Sequence, residues 1–355
     1  MSELSQKRPI KLIVQIPALN ERDTIAGVIA DIPRTIVGID SVEVLLIDDG
    51  CTDDTVEVAW KAGANYVVRH IGNKGLAAAY QTGIDTALRL GAHIIVNTDG
   101  DNQYPGAAIQ QLIAPIIAGQ ADVVIGDRQV QQLEHFSAFK KGLQKLGSSV
   151  VRWASETNVP DTVSGFRAIS REAALRTFVT TDFSYTVENL IQAGKHRLIV
   201  ATVPIRTNFV QRPSKLHRGN WHFVKRQAAI IARTYATYEP LKTFSYIAAI
   251  FLVPGLLFLV WAAFVFVGRR LAWFGDDSLS NDQSLVVGSV LIVMSLITFL
   301  IGLLADRVGG MRRVQDEVLY RVRTMQTSDE EWRRKVLARI EQIEQDLAVE
   351  KDQPV

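Results

Sequence analysis

The chain has 355 residues, of which 48% are hydrophobic and 21% charged, and its formal net charge is +2. This near-neutral balance excludes the broad basic surface of a nucleic-acid-binding protein, so we expect no nucleic-acid partner. The single cysteine, Cys51, excludes an intramolecular disulfide and fits a reducing compartment. The first residues, MSELSQKRPIKL, lack the apolar core of a signal peptide.

Residues 10–127 alternate between short apolar runs and helical patterns. The runs typical of strands are Leu12–Ile16, Val42–Ile47, Tyr66–Arg69, Ile94–Asn97 and Asp122–Ile125. The helical stretches between them are Thr24–Asp31, Asp54–Ala62, Leu76–Leu90 and Pro105–Ala118. This alternation predicts an α/β fold whose mostly parallel sheet is covered by helices. Ligands of such sheets bind beyond the carboxyl ends of the strands, so the loops after the strands are the candidate site.

Two aspartates, Asp99 and Asp101, follow the fourth predicted strand within TDGDNQYP. A lone DxD is more often a solvated turn, but this one closes a strand whose neighbours end near Asp49 and Lys74. Two carboxylates without His or Cys suit a hard cation such as Mg²⁺ or Mn²⁺. We therefore predict a divalent cation at Asp99 and Asp101, to which Gln103 adds a neutral oxygen.

The loop after the third predicted strand offers a phosphate site. Asn73-Lys74-Gly75 opens a helix, which places backbone N–H groups and a cation where a phosphate would bind. The strand-end loops contain neither GxGxxG nor GxxxxGK[ST], so a dinucleotide-binding Rossmann site and a P-loop are both disfavoured.

Two long uncharged stretches follow, at Phe244–Val267 and Leu285–Leu304. A helix needs about 20 apolar residues to cross a bilayer, so we expect two transmembrane helices over 244–304 rather than a pair of buried core helices. Basic residues flank the pair, whereas the short connection mixes arginines with aspartates. The positive-inside rule then places both termini and the α/β domain in the cytoplasm of an inner-membrane protein.

Basic and amphipathic segments border the two apolar stretches. Trp221–Tyr238 interleaves basic and apolar residues, which predicts amphipathic helices over 213–243 at the membrane surface; a docking helix of the soluble domain is the alternative. The tail, 305–355, is charged and helical. Its SDEE at Ser328 has the pattern of a helix N-terminus, and the apolar stripe beyond it permits a homo-oligomer.

Five segments carry a family resemblance: IPALNERDTI, IDDGCTDDT, NKGLAAAYQTGID, TDGDNQYP and VSGFRAISREAA. In this order they resemble the family 2 glycosyltransferases, and more closely the dolichyl- or polyprenyl-phosphate sugar synthases. The two apolar stretches and the tail look like the bacterial branch that acts on undecaprenyl phosphate. The resemblance implies a GT-A fold over residues 1–212, a UDP- or GDP-sugar donor, and Mg²⁺ or Mn²⁺ as cofactor.

The resemblance also implies roles for individual residues. Nucleotide-sugar binding is implied for Pro17, Leu19, Asn20, Glu21, Asp49, Lys74, Gly75, Asp99 and Gly100, and metal binding for Asp99, Asp101 and Gln103. Lipid-phosphate binding is implied for Arg128, Lys140, Lys141, Arg212, Ser214 and Lys215. The candidate catalytic residues are Asp101, Asp161 and Glu188. The alternative is a solvated basic surface for the cations, and an exposed helical glutamate for Glu188. Arg167 would either brace its loop or contact ligand.

The implied reaction is an inverting transfer of a sugar from a nucleotide to undecaprenyl or dolichyl phosphate at the cytoplasmic membrane face. The alternatives are transfer to another lipid acceptor and a catalytically silent membrane scaffold. A processive polysaccharide synthase would carry Q-x-x-R-W, where this chain has Ser149 in SVVRW. Two departures from the family pattern stand out: Cys51 replaces the usual serine, and QRPSKL is shorter than the family's R-x-x-G-x-S-K stretch.

Overall fold

The computed structural model describes residues 9–129, 152, 157, 159–179, 185–208, 239–271 and 282–351. Its strands are β1 (Lys11–Ala18), β2 (Ser41–Asp48), β3 (Tyr66–Arg69), β4 (Ile94–Asn97), β5 (Val123–Asp127), β6 (Arg167–Ser170) and β7 (Val200–Pro204). Its helices are α1 (Ile25–Asp31), α2 (Thr55–Lys61), α3 (Leu76–Arg89), α4 (Ala108–Ile117), α5 (Arg171–Arg176), α6 (Tyr185–Lys195), α7 (Pro240–Arg270) and α8 (Asp282–Lys351).

The strands form one sheet in the order β3-β2-β1-β4-β6-β5-β7. β1 lies between β2 and β4 and is parallel to both, with Ala18 opposite Asp48 and Gln15 opposite Asn97. β2 is also parallel to β3, where Asp48 faces Arg69. The carboxyl ends of these strands therefore reach the same edge, which gathers the polar loops that the sequence singles out. The expected mostly parallel sheet is confirmed.

β6, like β7, α5 and α6, was not predicted from the sequence. It lies between β4 and β5 and runs antiparallel to both, with Arg167 opposite Asn97. Its four residues, RAIS, are too few to show an alternating pattern, and the run begins with a charged residue. Its place next to β4 brings the segment before it, Asp161–Phe166, to the loop that carries Asp99 and Asp101.

The core forms because the apolar strands are covered by helices. Leu12, Val14 and Ile16 of β1 are fully buried and belong to one cluster with the apolar residues of α1 and α4. α3 packs against β1 and β2. Burying an aliphatic side chain of this size contributes about 1.5–3 kcal/mol, so β1 is a firm support for the loop that follows it.

Two described helices are long and apolar enough to cross a membrane, α7 and the part of α8 over Asp282–Glu330. Only 17% of the most apolar stretch in each is buried, whereas a core helix of a soluble protein is mostly buried. The two pack closely, because a Cβ on Gly255 would lie 3.2 Å from the Gly288 carbonyl oxygen. These helices favour a membrane protein; the inner membrane and the cytoplasmic orientation stay predictions.

The tail differs from expectation at Ser328. α8 continues unbroken from Asp282 to Lys351, so the prediction that a helix begins at Ser328 is wrong. The Ser328 hydroxyl donates to the Thr324 carbonyl oxygen at 2.7 Å instead of capping an N-terminus. The described residues form two compact units, Met1–Ile231 with Val318–Val355, and Ala232–Glu317. The boundaries at 212, 243 and 304 stay predictions.

Candidate active site

The two aspartates of the candidate metal site stand directly after β4. Asp101 accepts a hydrogen bond from the Gln103 backbone N–H at 3.0 Å, which closes a tight turn through Asn102, whose φ is 61°. Burial raises the pKa of Asp99 to about 7, and the negative charge of Asp101 adds to this rise while Arg128 opposes it. The negative charge of Asp101 thus disfavours ionisation of Asp99, and a cation at this point would favour it.

Because Gly165 has no side chain, the Asp99 carboxylate can occupy the space beside it. A Cβ on residue 165 would lie 3.0 Å from Asp99 Oδ2, 3.1 Å from Asp99 Oδ1 and 3.1 Å from the Tyr185 hydroxyl. These distances are shorter than nearly all real Cβ contacts, so a side chain here would displace one neighbour. The segment before β6 thus forms one wall of the site.

A buried polar network supports this wall, and it was not predicted from the sequence. Asn97 accepts from Gln15 Nε2 at 2.9 Å, and its own Nδ2 donates to the Gly165 carbonyl at 2.9 Å and to the Tyr185 hydroxyl at 2.8 Å. The Tyr185 ring stacks on Tyr80 at 3.8 Å between centroids. Both Gln15 and Asn97 lie inside apolar strands, and only their polarity could have indicated a structural role there.

Arg167, which begins β6, braces the same wall. Its side chain is 1% exposed and donates to the carbonyl oxygens of Ser164, Thr162 and Thr186, as well as to Asn189 Oδ1. The burial lowers its pKa, although nearby tyrosine and aspartate groups oppose this. Arg167 was expected either to brace its loop or to contact ligand. These contacts support the bracing role.

The first loop, after β1, is tied to the second. Asn20, whose φ is 55°, accepts from the Thr52 N–H at 2.8 Å and donates its own N–H to Cys51 Sγ at 3.3 Å. Cys51 in turn donates its N–H to Asp48 at 2.6 Å. Burial raises the pKa of the Cys51 thiol to about 11, so it acts as a neutral packing group. Cysteine in place of serine keeps the connection between the loops.

The first loop also contacts the loop of the two aspartates. The Thr24 hydroxyl donates to the Gly100 carbonyl at 2.6 Å, and a Cβ on Gly100 would lie 3.4 Å from Glu21 Cγ and 3.7 Å from the Pro17 carbonyl. Of the residues implied for nucleotide-sugar binding, Pro17, Glu21 and Gly100 thus lie together.

Asp49 organises the loop after β3. Its carboxylate is 4% exposed and accepts from the N–H groups of Lys74 and Gly75, each at 2.9 Å, and lies 2.8 Å from His70 Nδ1. These two N–H groups are therefore engaged by Asp49 rather than open to the phosphate predicted for them, and a phosphate contact by the exposed Lys74 side chain stays a prediction. Gly50 permits this approach, since a Cβ there would lie 2.7 Å from the Asn73 nitrogen.

Arg128 and Asp161, expected to have separate roles, bind each other. Arg128 Nε lies 2.7 Å from Asp161 Oδ2 and Nη2 lies 3.0 Å from Oδ1, and the Asp161 side chain is 3% exposed. A bidentate pair of this kind holds the guanidinium in a fixed plane. The structure thus makes Asp161 the residue that orients Arg128.

Glu188 lies inside α6 and is 2% exposed, so the alternative of an exposed helical glutamate is excluded. Its Oε1 accepts from Gln192 Nε2 at 3.3 Å, and Gln192 also bonds both backbone groups of Phe178. A buried carboxylate needs such partners. Through Gln192, the segment between α5 and α6 therefore holds Glu188 in place.

Several predicted residues lie outside the part of the chain that the structure describes. These are Lys140, Lys141, Arg212, Ser214 and Lys215, together with the amphipathic segment Trp221–Tyr238. Leu19 lies in the first loop, beside Asn20. The Gln103 carbonyl accepts from the Asn208 N–H at 2.9 Å, and the metal contact of its side chain stays a prediction.

Comparison with known proteins decides the class. Residues 13–178, which contain β1 to β6 and both aspartates, match the family described as "Glycosyl transferase family 2". The chain carries a family 2 glycosyltransferase domain. The enzyme class, expected from the resemblance, is confirmed.

Two curated relatives resemble much of this glycosyltransferase. "Glycosyltransferase AglJ" of Haloferax volcanii is 27% identical over 323 residues, which cover 86% of this chain and 96% of that protein. The "UDP-N-acetylglucosamine--dolichyl-phosphate N-acetylglucosaminyltransferase" of Methanococcus voltae is 28% identical over 218 residues, or 55% of this chain and 85% of that protein. Names of this kind support the polyprenyl-phosphate branch of the family.

A solved structure shares the fold. Glucosyl-3-phosphoglycerate synthase from Mycobacterium tuberculosis, in complex with Mn²⁺, UDP-glucose and phosphoglyceric acid, has a TM-score of 0.50 and 22% identity to this glycosyltransferase. The match covers 64% of this chain and 79% of that chain. At this identity the likeness concerns the fold alone, and it confirms the expected GT-A architecture.

The chemistry of the glycosyltransferase site fits a divalent cation. Among the described residues, no three or more His, Cys, Asp or Glu side chains form a ready-made metal cage. Asp99 and Asp101 would supply two carboxylate oxygens, and a hard cation held this way takes its remaining ligands from phosphate oxygens and water. The pKa of Asp99 is raised first by burial and then by the charge of Asp101, and a cation here would favour the ionised carboxylate.

Proposed function

We propose that this glycosyltransferase moves a sugar from a nucleoside diphosphate to a polyprenyl phosphate, with inversion at the anomeric carbon. The observation that carries the proposal is the Asp99 and Asp101 pair at the carboxyl end of β4, in a chain that also has two exposed apolar helices. Asp99 and Asp101 suit a diphosphate–metal complex, and the helices suit an acceptor that resides in a bilayer.

The donor would bind across the first three loops and the aspartate loop. Asn20, Glu21 and Gly100 lie where the base and ribose would rest, and the Lys74 ammonium, exposed beside Gly75, would contact the diphosphate. Asp49 supports this arrangement by fixing the Lys74 and Gly75 backbone. A divalent cation at Asp99 and Asp101 would neutralise the charge that develops on the leaving diphosphate. The Mn²⁺ in the M. tuberculosis structure supports this choice of cofactor.

The chemical step is a single displacement. An oxygen of the lipid phosphate forms a bond to the anomeric carbon while the bond from that carbon to the nucleoside diphosphate breaks, and the diphosphate leaves with the electron pair. The acceptor is already anionic at neutral pH, so positioning matters more than a strong base. The engagement of both Asp161 oxygens by Arg128 supports this view, because a carboxylate whose two oxygens are held by a guanidinium is a poor base.

The acceptor assignment rests on the membrane helices and on the relatives. The M. voltae protein is named for transfer to dolichyl phosphate, and the polyprenol monophosphomannose synthase of Mycolicibacterium smegmatis is 27% identical over 169 residues, or 46% of this chain and 62% of that protein. The sugar differs between these names. We therefore propose the polyprenyl phosphate as the acceptor class, undecaprenyl phosphate as the first acceptor to test, and a donor carrying UDP or GDP.

The test uses membranes that contain the full chain. They are incubated with radiolabelled UDP- and GDP-sugars, Mg²⁺ or Mn²⁺, and undecaprenyl phosphate, and the lipid phase is extracted. We expect acid-labile label in the lipid with one donor, and its loss in Asp101→Ala. The matched control is Asp54→Ala, an exposed aspartate in the loop after β2 that makes no side-chain cap to α2. Full transfer by Asp101→Ala would refute the metal assignment.

A further inference from the structure

The last part of α8 contacts the catalytic unit through a buried arginine. Arg323 is 8% exposed, and its Nη1 donates to the Thr177 carbonyl at 2.6 Å, while its Nη2 lies 2.7 Å from Asp85 Oδ1 of α3. The guanidinium also lies 5.4 Å from the centre of the Phe178 ring. A planar guanidinium presents its donors on separate nitrogens in a fixed plane and so holds a carbonyl and a carboxylate at once, whereas lysine offers a single nitrogen.

Tyr320, one turn earlier, makes a second attachment. Its hydroxyl donates to Glu172 Oε2 at 3.1 Å, and the Arg176 guanidinium lies 4.2 Å from the centre of its ring. Glu172 and Arg176 belong to α5 and pair with each other at 2.7 Å. Arg323 and Tyr320 thus fix α5 and the segment that follows it, Thr177–Val179.

Two chains of hydrogen bonds continue inward from Thr177–Val179. In one, Thr177 Oγ1 accepts from Asn189 Nδ2 at 3.1 Å, and Asn189 Oδ1 accepts from Arg167, which braces the wall beside Asp99. In the other, Phe178 exchanges two hydrogen bonds with Gln192, whose Nε2 donates to Glu188. Both chains end on residues of the candidate active site.

We infer that Arg323 is a positioning residue for the glycosyl transfer. It fixes the Thr177–Val179 segment, and that segment sets the position of α6, of Glu188 within it and of Arg167 beneath the aspartate loop. Among the residues that the structure describes, Arg323 touches none that is implied for donor, metal or acceptor binding. The inference rests on the proposed function only where it is tested by enzyme kinetics; its test by hydrogen exchange does not depend on that function.

The first arm measures hydrogen exchange of the purified full chain in detergent, without donor or acceptor. Arg323→Ala should speed amide exchange in Tyr185–Lys195 by about tenfold or more, since the segment that holds α6 loses its outer attachment. Gln326→Ala is the control, because Gln326 is an exposed polar residue on the same helix. Unchanged exchange in Arg323→Ala would overturn the inference, and this result can be obtained even if no donor supports transfer.

The second arm measures kinetics with the conservative variant. Arg323→Ala should lower kcat by about tenfold or more while the donor KM changes less than about twofold, and Arg323→Lys should recover part of kcat because it restores one of the two contacts. Tyr320→Phe, which removes only one hydroxyl, covers the case in which Arg323→Ala does not fold, and should lower kcat more mildly. A fall in activity that only follows the loss of folded protein, with no recovery by lysine, would contradict a positioning role.

Discussion

Arg128 Nε lies 2.7 Å from Asp161 Oδ2, and the two side chains form a bidentate pair in which the carboxylate is nearly inaccessible. The consequence is that the two residues act as one unit at the edge of the site. Arg128 comes from the end of β5 and Asp161 from the segment before β6, so the pair also joins two parts of the chain that are distant in sequence.

The first prediction concerns this pair. Asp161→Ala should reduce transfer about as strongly as Arg128→Ala, by about a hundredfold, because the guanidinium loses its orientation and keeps a buried charge. The double variant should lose little more than either single variant, and a double-mutant cycle of initial rates measures this. Additive losses would show that Asp161 acts independently of Arg128, as a base would.

The second prediction concerns Gly165. Gly165→Ala should reduce transfer by about tenfold or more, because its Cβ would displace the Asp99 carboxylate or the Tyr185 hydroxyl by a few tenths of an ångström. The matched control is Gly27→Ala in α1, where a Cβ would meet no atom within 4 Å. That variant should keep full activity and gain about 0.5–1 kcal/mol of stability as a helical alanine. Equal activities of the two variants would show that the wall does not set the position of Asp99.

The third prediction concerns Asp49 as a structural support. Asp49→Ala removes the acceptor of two backbone N–H groups and of His70, and should cost about 2 kcal/mol or more of unfolding free energy. The thermal midpoint in detergent and the donor KM together report this, and both should worsen. Asp54→Ala, at an exposed aspartate, should leave both unchanged. A variant with a higher KM and an unaltered midpoint would instead assign Asp49 to direct contact with the nucleotide.

The fourth prediction concerns acid stability. Burial acts to raise the pKa of Asp48, but hydrogen bonds from Cys51 and the charge of Arg69 outweigh it and leave the pKa below the ordinary 3.8. Because the folded state then favours the ionised carboxylate, the stabilisation is complete above about pH 4 and is lost as the pH falls through the lowered pKa. Asp48→Asn should therefore show a flatter fall of the thermal midpoint below pH 4. An unchanged slope would contradict the shift.

Much of the fold could be predicted because β1, β2, β3 and β4 are apolar runs bounded by polar loops, and β1 and β4 are buried along nearly their whole length. β6 could not, since RAIS is short and begins with an arginine, and two of the acceptors that allow this arginine to be buried, Thr186 and Asn189, lie 19 and 22 residues further along the chain. The predicted helix start at Ser328 was wrong because a capping pattern and a helix interior use the same residue types. Only the unbroken course of α8 distinguishes the two.

The candidate site, like the fold, could be predicted only in part. Asp99, Asp101 and Asp49 could be singled out because they follow apolar runs whose carboxyl ends meet at one edge of a parallel sheet. The supporting network of Gln15, Asn97 and Tyr185 could not, because it depends on which strands become neighbours. The Arg128–Asp161 pair was likewise hidden, since each residue was assigned a role of its own.

The central claim is tested most directly by the mass of the lipid product. The purified full chain is incubated with undecaprenyl phosphate, Mn²⁺ and a mixture of UDP- and GDP-sugars, and the extracted lipid is analysed by mass spectrometry. The proposal predicts a new species heavier than undecaprenyl phosphate by one sugar residue, formed with release of UDP or GDP and absent with Asp101→Ala. Unmodified undecaprenyl phosphate with every donor, while the same protein glycosylates another lipid, would contradict it.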